Sequence, residues 1–97
     1  MLIDKGVSPG EVVTLKLTSG EELVGRLDDD KADCHIKVSK PMVLTMGQQG
    51  LGMVPYLFTV DPSKTVKIGR STIVVMEATD KQFADAYIQQ TTSIKLV

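Results

Sequence analysis

The chain has no tryptophan, only two tyrosines and only two phenylalanines. Its core must therefore be built from Val, Leu, Ile and Met. The single cysteine, Cys34, excludes an internal disulfide and leaves no cysteine pair for a metal. It reads as a small buried hydrophobe. The one histidine, His35, stands without a second imidazole for a metal site or a nucleophile elbow for an acyl transfer. Acidic pairs such as Glu21-Glu22 and Asp28-Asp29 fall in turn-like segments, where solvent keeps them ordinary carboxylates. No catalytic set emerges, so the sequence predicts no enzyme, no cofactor, no metal and no small-molecule substrate. No apolar run approaches the roughly 18 residues that a membrane helix needs, so no membrane partner is expected. Met1 to Gly6 holds no apolar stretch of signal-peptide type, and a cytoplasmic protein is expected. Neither sign of charge dominates: 11 basic residues meet 12 acidic ones, for a net charge of −1. That balance argues against broad electrostatic coating of nucleic acid.

What is present is a succession of short β patterns. Ninety-seven residues suit one domain, which buries roughly 65% of its unfolded surface. Ser8-Pro9-Gly10-Glu11 signals a turn. Val13, Leu15 and Leu17 alternate with Thr14, Lys16 and Thr18, the period of a half-buried strand. Ser19-Gly20 turns the chain into a second strand of Leu23, Gly25 and Leu27, giving an antiparallel hairpin. Gly25 inside a strand marks a bend. The turn from Asp28 to Asp33 resembles a calcium loop in charge only, since the glycine and terminal glutamate of that motif are missing. A third strand is expected from Cys34 to Met46, with Pro41 marking an edge or a bulge. Residues 47–52 read as a flexible connection. Met53 to Val60 reads as a fourth strand, apolar on both faces and so buried on both. Asp61-Pro62-Ser63-Lys64 is a turn, Thr65 to Ile68 is extended, Gly69-Arg70-Ser71 is a break, and Thr72 to Met76 is a further strand. Thr79 and Gln82 fit a capping box. Phe83, Ala84, Tyr87 and Ile88 form an apolar stripe on a helix over 80–91. Residues 93–97 are read as a short strand or a tail.

The run Val13, Leu15, Leu17, Gly20, Leu23, Gly25, Leu27, then the acidic turn and Cys34-His35-Ile36, resembles the first motif of the Sm family. Ile68-Gly69-Arg70-Ser71-Thr72-Ile73 falls where that family has its second motif. The resemblance covers residues 12–77. His35 stands where the family has the asparagine that bonds a base, and Asp33 where many members have a stacking ring. The Arg-Gly pair is reversed to Gly69-Arg70, and the helix follows the strands. These departures make the chain similar to the Sm-like proteins of tailed phages. The resemblance implies an all-β domain, a small strongly bent five-stranded antiparallel barrel, here with one C-terminal α-helix. It also implies a homo-oligomeric ring.

Single-stranded RNA is the partner that the resemblance implies, with His35, Arg70, Lys37 and Gly69 as candidate contacts. A ring that docks other components without binding nucleic acid is the alternative. The most apolar and β-branched stretches hold the candidate subunit contacts: Tyr56, Phe58, Val60, Ile73, Val74 and Val75. Open strand edges are a hazard unless paired, which makes these stretches the expected joints.

Overall fold

In this computed structural model, residues 7–48, 50–61 and 64–94 are described, with backbone alone for 92–94. The chain is mainly β. Its antiparallel strands are β1 (Val12–Leu17), β2 (Glu22–Asp29), β3 (His35–Gly47), β4 (Gly50–Pro55), β5 (Thr65–Gly69) and β6 (Ile73–Ala78). A short 3₁₀ turn, Arg70–Thr72, joins β5 to β6, and one helix, α1 (Lys81–Ile94), closes the described chain. The sheet runs β4-β3-β2-β1-β6, with β5 also paired to β3. Six strands replace the expected five. The reason lies in β3, which is long enough to pair His35–Ser39 with β5 and Met42–Gly47 with β4.

The alternation of the sequence decides which face of the sheet is dry. Val13, Leu15 and Leu17 of β1, Leu23 and Leu27 of β2, Ile36 and Val38 of β3 and Ile68 of β5 form one buried cluster. Ile73 and Met76 of β6, Val66 of β5 and Tyr56 pack against it. Burying an aliphatic side chain of this kind contributes roughly 1.5–3 kcal/mol. One sheet can enclose such a cluster only by curling around it. Among the described residues, no pairing joins β6 to β4 or β5.

The bend has a specific cause. Val24 pairs with Met42 and Arg26 with Ser39, so Gly25 alone opposes both Lys40 and Pro41. That is a β-bulge, and it sharpens twist and curvature. Pro41 therefore marks a bulge rather than an edge, since β3 is paired on both sides. A Cβ on Gly25 would overlap Val38 Cγ1 and crowd the Ser39 carbonyl oxygen at 3.3 Å. Lys40 takes φ of 49°, a left-handed value that L-residues adopt at some cost.

The helix covers the outer face of this bend. Tyr87 is buried with Val24 and Met42, and Val12, Leu44 and Met53 pack against them. The Tyr87 hydroxyl lies 2.9 Å from the carbonyl oxygens of both Ser39 and Lys40. Gln90 Nε2 donates to the Met53 carbonyl at 2.9 Å. Of the expected stripe, Tyr87 is the residue that goes in. Phe83 and Ile88 keep over a third of their surface exposed.

Several expectations need correction. In place of a flexible connection, Gly47 pairs with Gly50, which takes φ of 107°, and Gly50–Gly52 already belong to β4. The fourth strand ends at Pro55 and does not reach Val60. Val54, Leu57, Phe58 and Val60 are exposed rather than buried on both sides. Thr79 does not cap the helix. Its amide donates to the Val12 carbonyl and its hydroxyl bonds that of Thr14 at 2.8 Å, so it continues the sheet and the helix starts at Lys81. Ser93 and Ile94 belong to α1. The turn at 61–64 has a Lys64 N–H to Asp61 carbonyl bond, while positions 62–63, 95–97 and 49 lie outside the described residues.

Candidate functional site

Three of the four residues proposed for base contact meet at one corner of the sheet. His35 opens β3 and Gly69 closes β5, and the two are directly paired. Arg70 follows, and its amide donates to the Cys34 carbonyl at 2.9 Å. Lys37 lies two residues along β3, on the same outward face as His35, because Ile36 and Val38 between and beyond them are buried. The spacing of two puts His35 and Lys37 on one face by strand geometry.

Arg70 turns back to its own chain. Its Nε donates to the Ala32 carbonyl at 3.0 Å and its Nη2 donates to the Asp30 carbonyl. The planar guanidinium fork suits two neighbouring carbonyls in this way. Arg70 thus holds the acidic turn in shape, and two of its donors are engaged there. The turn is further fixed by its own carboxylates. Asp29 Oδ1 accepts from the Lys31 amide at 2.9 Å. Asp28 Oδ2 accepts from the Thr65 hydroxyl at 2.9 Å, which ties the end of β2 to β5.

Cys34 is exposed, against the expectation of burial. It sits in the turn just before β3, where the inward positions of the strand have not yet begun. Two charged residues pair with Lys37 in a way that the sequence reading, which placed Lys67 on a polar strand face and Asp29 in a turn, did not foresee. Asp29 pairs with Lys37 from β2, and Lys67 pairs with it from β5. The alternation of Val66, Lys67 and Ile68 carries the signal that would have found Lys67, once β5 is paired with β3.

The candidate subunit contacts divide. Tyr56 and Ile73 pack against the core. Phe58 is 77% exposed and Val74 61%, and Val60 and Val75 are exposed as well. Val74 is the extra residue of a bulge, since Leu17 pairs with Ile73 and Lys16 with Val75. An open hollow at the hairpin tip is lined by Thr45, Gly47, Gln48, Gly50, Leu51 and Gly52, a set with no charged or titratable group. Among the described residues, no group of three His, Cys, Asp or Glu side chains is placed to hold a metal. No helix among them is long and apolar enough to cross a membrane. No protein-family profile matches this chain, and no curated protein matches it.

Proposed function

We propose that this chain is a subunit of an Sm-like homo-oligomeric ring, and that the ring acts as a structural or docking element. The observation that supports this is a pair of strand edges that, among the described residues, have no partner and carry bare apolar side chains. At one end of the sheet, β4 and the segment after it expose Val54, Leu57, Phe58 and Val60. At the other end, β6 exposes Val74 and Val75. Exposed, unpaired apolar edges are joined to something in native proteins. Because the two edges differ, one copy's β4 side meets the next copy's β6. Repeating such a joint gives a ring when the rotation closes. Light scattering on a sizing column tests the reading. A discrete multiple of the subunit mass is expected for the native chain, and Phe58→Asp or Val74→Asp shifts it toward monomer while Lys16→Asp does not. A native monomer at micromolar concentration would overturn it.

Single-stranded RNA binding is the second reading. It draws on the outward-facing His35 and Lys37. Against it stands Arg70, whose donors serve the turn, and the four aspartates at positions 28, 29, 30 and 33 beside the same face. A titration of the assembled protein with single-stranded RNA at two salt concentrations separates the two readings. Binding that weakens with salt favours RNA, and its absence favours docking alone.

A further inference from the structure

The outer face of the β3–β5 pair holds two ammonium groups side by side. Lys37 and Lys67 are directly paired across the two antiparallel strands. Both stand on the face opposite the buried Ile36, Val38 and Ile68. Like charges directly opposed on one face destabilise a sheet. Among the described residues, neither lysine has an ion pair or a side-chain hydrogen bond. Asp29 is in register with Lys37 from β2, yet no ion pair forms between them, and its Oδ1 accepts from the Lys31 amide. Asp28 is held by Thr65. Neither aspartate forms an ion pair with Lys37 or Lys67, so the repulsion between the two is offset only through space.

The next outward pair along the same ladder is His35 and Gly69. A Cβ at Gly69 would meet, apart from its chain neighbours, nothing nearer than the Cys34 carbonyl, at 4.0 Å. The space over Gly69 is open, flanked by the imidazole on one strand and by the two ammonium groups one step along. This is a notch with up to three nitrogen donors around a bare floor.

We propose that the notch binds a multivalent phosphate oxyanion, held between Lys37 and Lys67. Side chains directly opposed across a strand pair have Cβ atoms about 5 Å apart, so both lysines reach the oxygens of one phosphate group. Each ammonium brings three donors, and hydrogen bonds from a cation to an anion are the stronger kind. The bound anion removes the repulsion that the sheet otherwise carries, so binding raises stability by linkage. Asp28, Asp29, Asp30 and Asp33 lie in the segment that precedes β3 and weaken anion binding, so preference for a multivalent phosphate rests on its oxygens being shared by both ammonium groups. The phosphate is either a free polyphosphate or the backbone of a nucleic-acid strand. The site stands independently of the assembly reading.

The test is thermal unfolding of the full chain in sodium tripolyphosphate against sodium chloride of equal ionic strength. At saturating anion the tripolyphosphate raises Tm by about 4 °C more than the chloride. Lys67→Glu places a carboxylate opposite Lys37, so it raises Tm without the anion and abolishes the extra rise. Lys67→Gln also abolishes the rise and serves should the glutamate variant fold poorly. Lys16→Met retains it. An RNA oligonucleotide that displaces tripolyphosphate identifies a strand backbone as the source, and failure to displace identifies a free anion. Equal Tm in the two salts, or an undiminished rise in Lys67→Gln, overturns the proposal.

Discussion

The hydroxyl of Tyr87 lies 2.9 Å from the carbonyl oxygen of Lys40, the one non-glycine position among the described residues with positive φ. A helix side chain thus holds the sharpest point of the sheet, and it reaches the neighbouring Ser39 carbonyl at the same distance. Removing the hydroxyl in Tyr87→Phe leaves both carbonyls without this donor and costs about 1–2 kcal/mol. Tyr87→Ala also opens a cavity over Val24 and Met42 and costs about 3 kcal/mol or more. Urea midpoints of the two variants check the order, and equal losses would show that the hydroxyl alone matters.

Lys40 itself makes a contrasting prediction. Glycine occupies left-handed backbone without the Cβ clash, so Lys40→Gly is neutral or stabilising by about 0.5–1 kcal/mol. A β-branched residue is a poor fit there, and Lys40→Val costs about 1–2 kcal/mol. Thermal melts of the pair measure the difference. A less stable glycine variant would mean that the strand prefers its own rigidity to relief of strain.

Gly25 faces the other side of the same bulge. Adding one methyl in Gly25→Ala forces Val38 and the Ser39 backbone apart, and overpacking of this kind costs about 1–3 kcal/mol. Pairing it with Val38→Ala removes the overlapping atom. The double variant is therefore expected to lose less than the sum of the two single losses, a coupling that denaturant titration resolves.

Arg70→Ala strips donors from the carbonyls of Ala32 and Asp30. The expected loss is about 1–3 kcal/mol, together with faster amide exchange in residues 30–34. Arg70→Lys does not restore the fork and recovers little of it. An effect on RNA binding with unchanged exchange in the turn would move Arg70 from a positioning role to a contact.

Alkaline unfolding gives a signed test. Burial pushes the Tyr87 phenol up to about 12, against about 10 in an unfolded chain. The folded protein keeps this proton where the unfolded chain releases it. The contribution to stability is therefore complete below about pH 10 and is lost as pH rises through about 12. Wild type and Tyr87→Phe should converge over that window. A constant difference between them would place the phenol in water.

Much of the strand sequence was legible because alternation is a strong signal where one face is dry. Val13, Leu15 and Leu17, then Leu23 and Leu27, read correctly as one inward row, and Gly25 read correctly as a bend. Val24 was not legible as buried, since nothing in its own strand shows that Tyr87 will arrive from the far end of the chain. The stretch from Met53 to Val60 misled for the opposite reason. An apolar run looks the same whether a chain buries it within itself or leaves it bare. Thr79 has the residue type of a cap, but the sheet claims its amide first. At the corner of His35 and Arg70, the residue types were visible while their partners were not. The Arg70 contacts span about 40 positions of sequence, and the Lys37–Lys67 pairing depends on which half of β3 receives β5.

Strand β2 lies between β1 and β3, with Leu23 and Leu27 in one cluster and Val24 in the other. Its backbone amides cannot meet solvent by peeling an edge. Both clusters must come apart first, so opening β2 is equivalent to unfolding the domain. In deuterated water the amides of Leu23, Val24 and Leu27 should persist longest and report the global free energy, while β4 and β6 fray on a shorter clock.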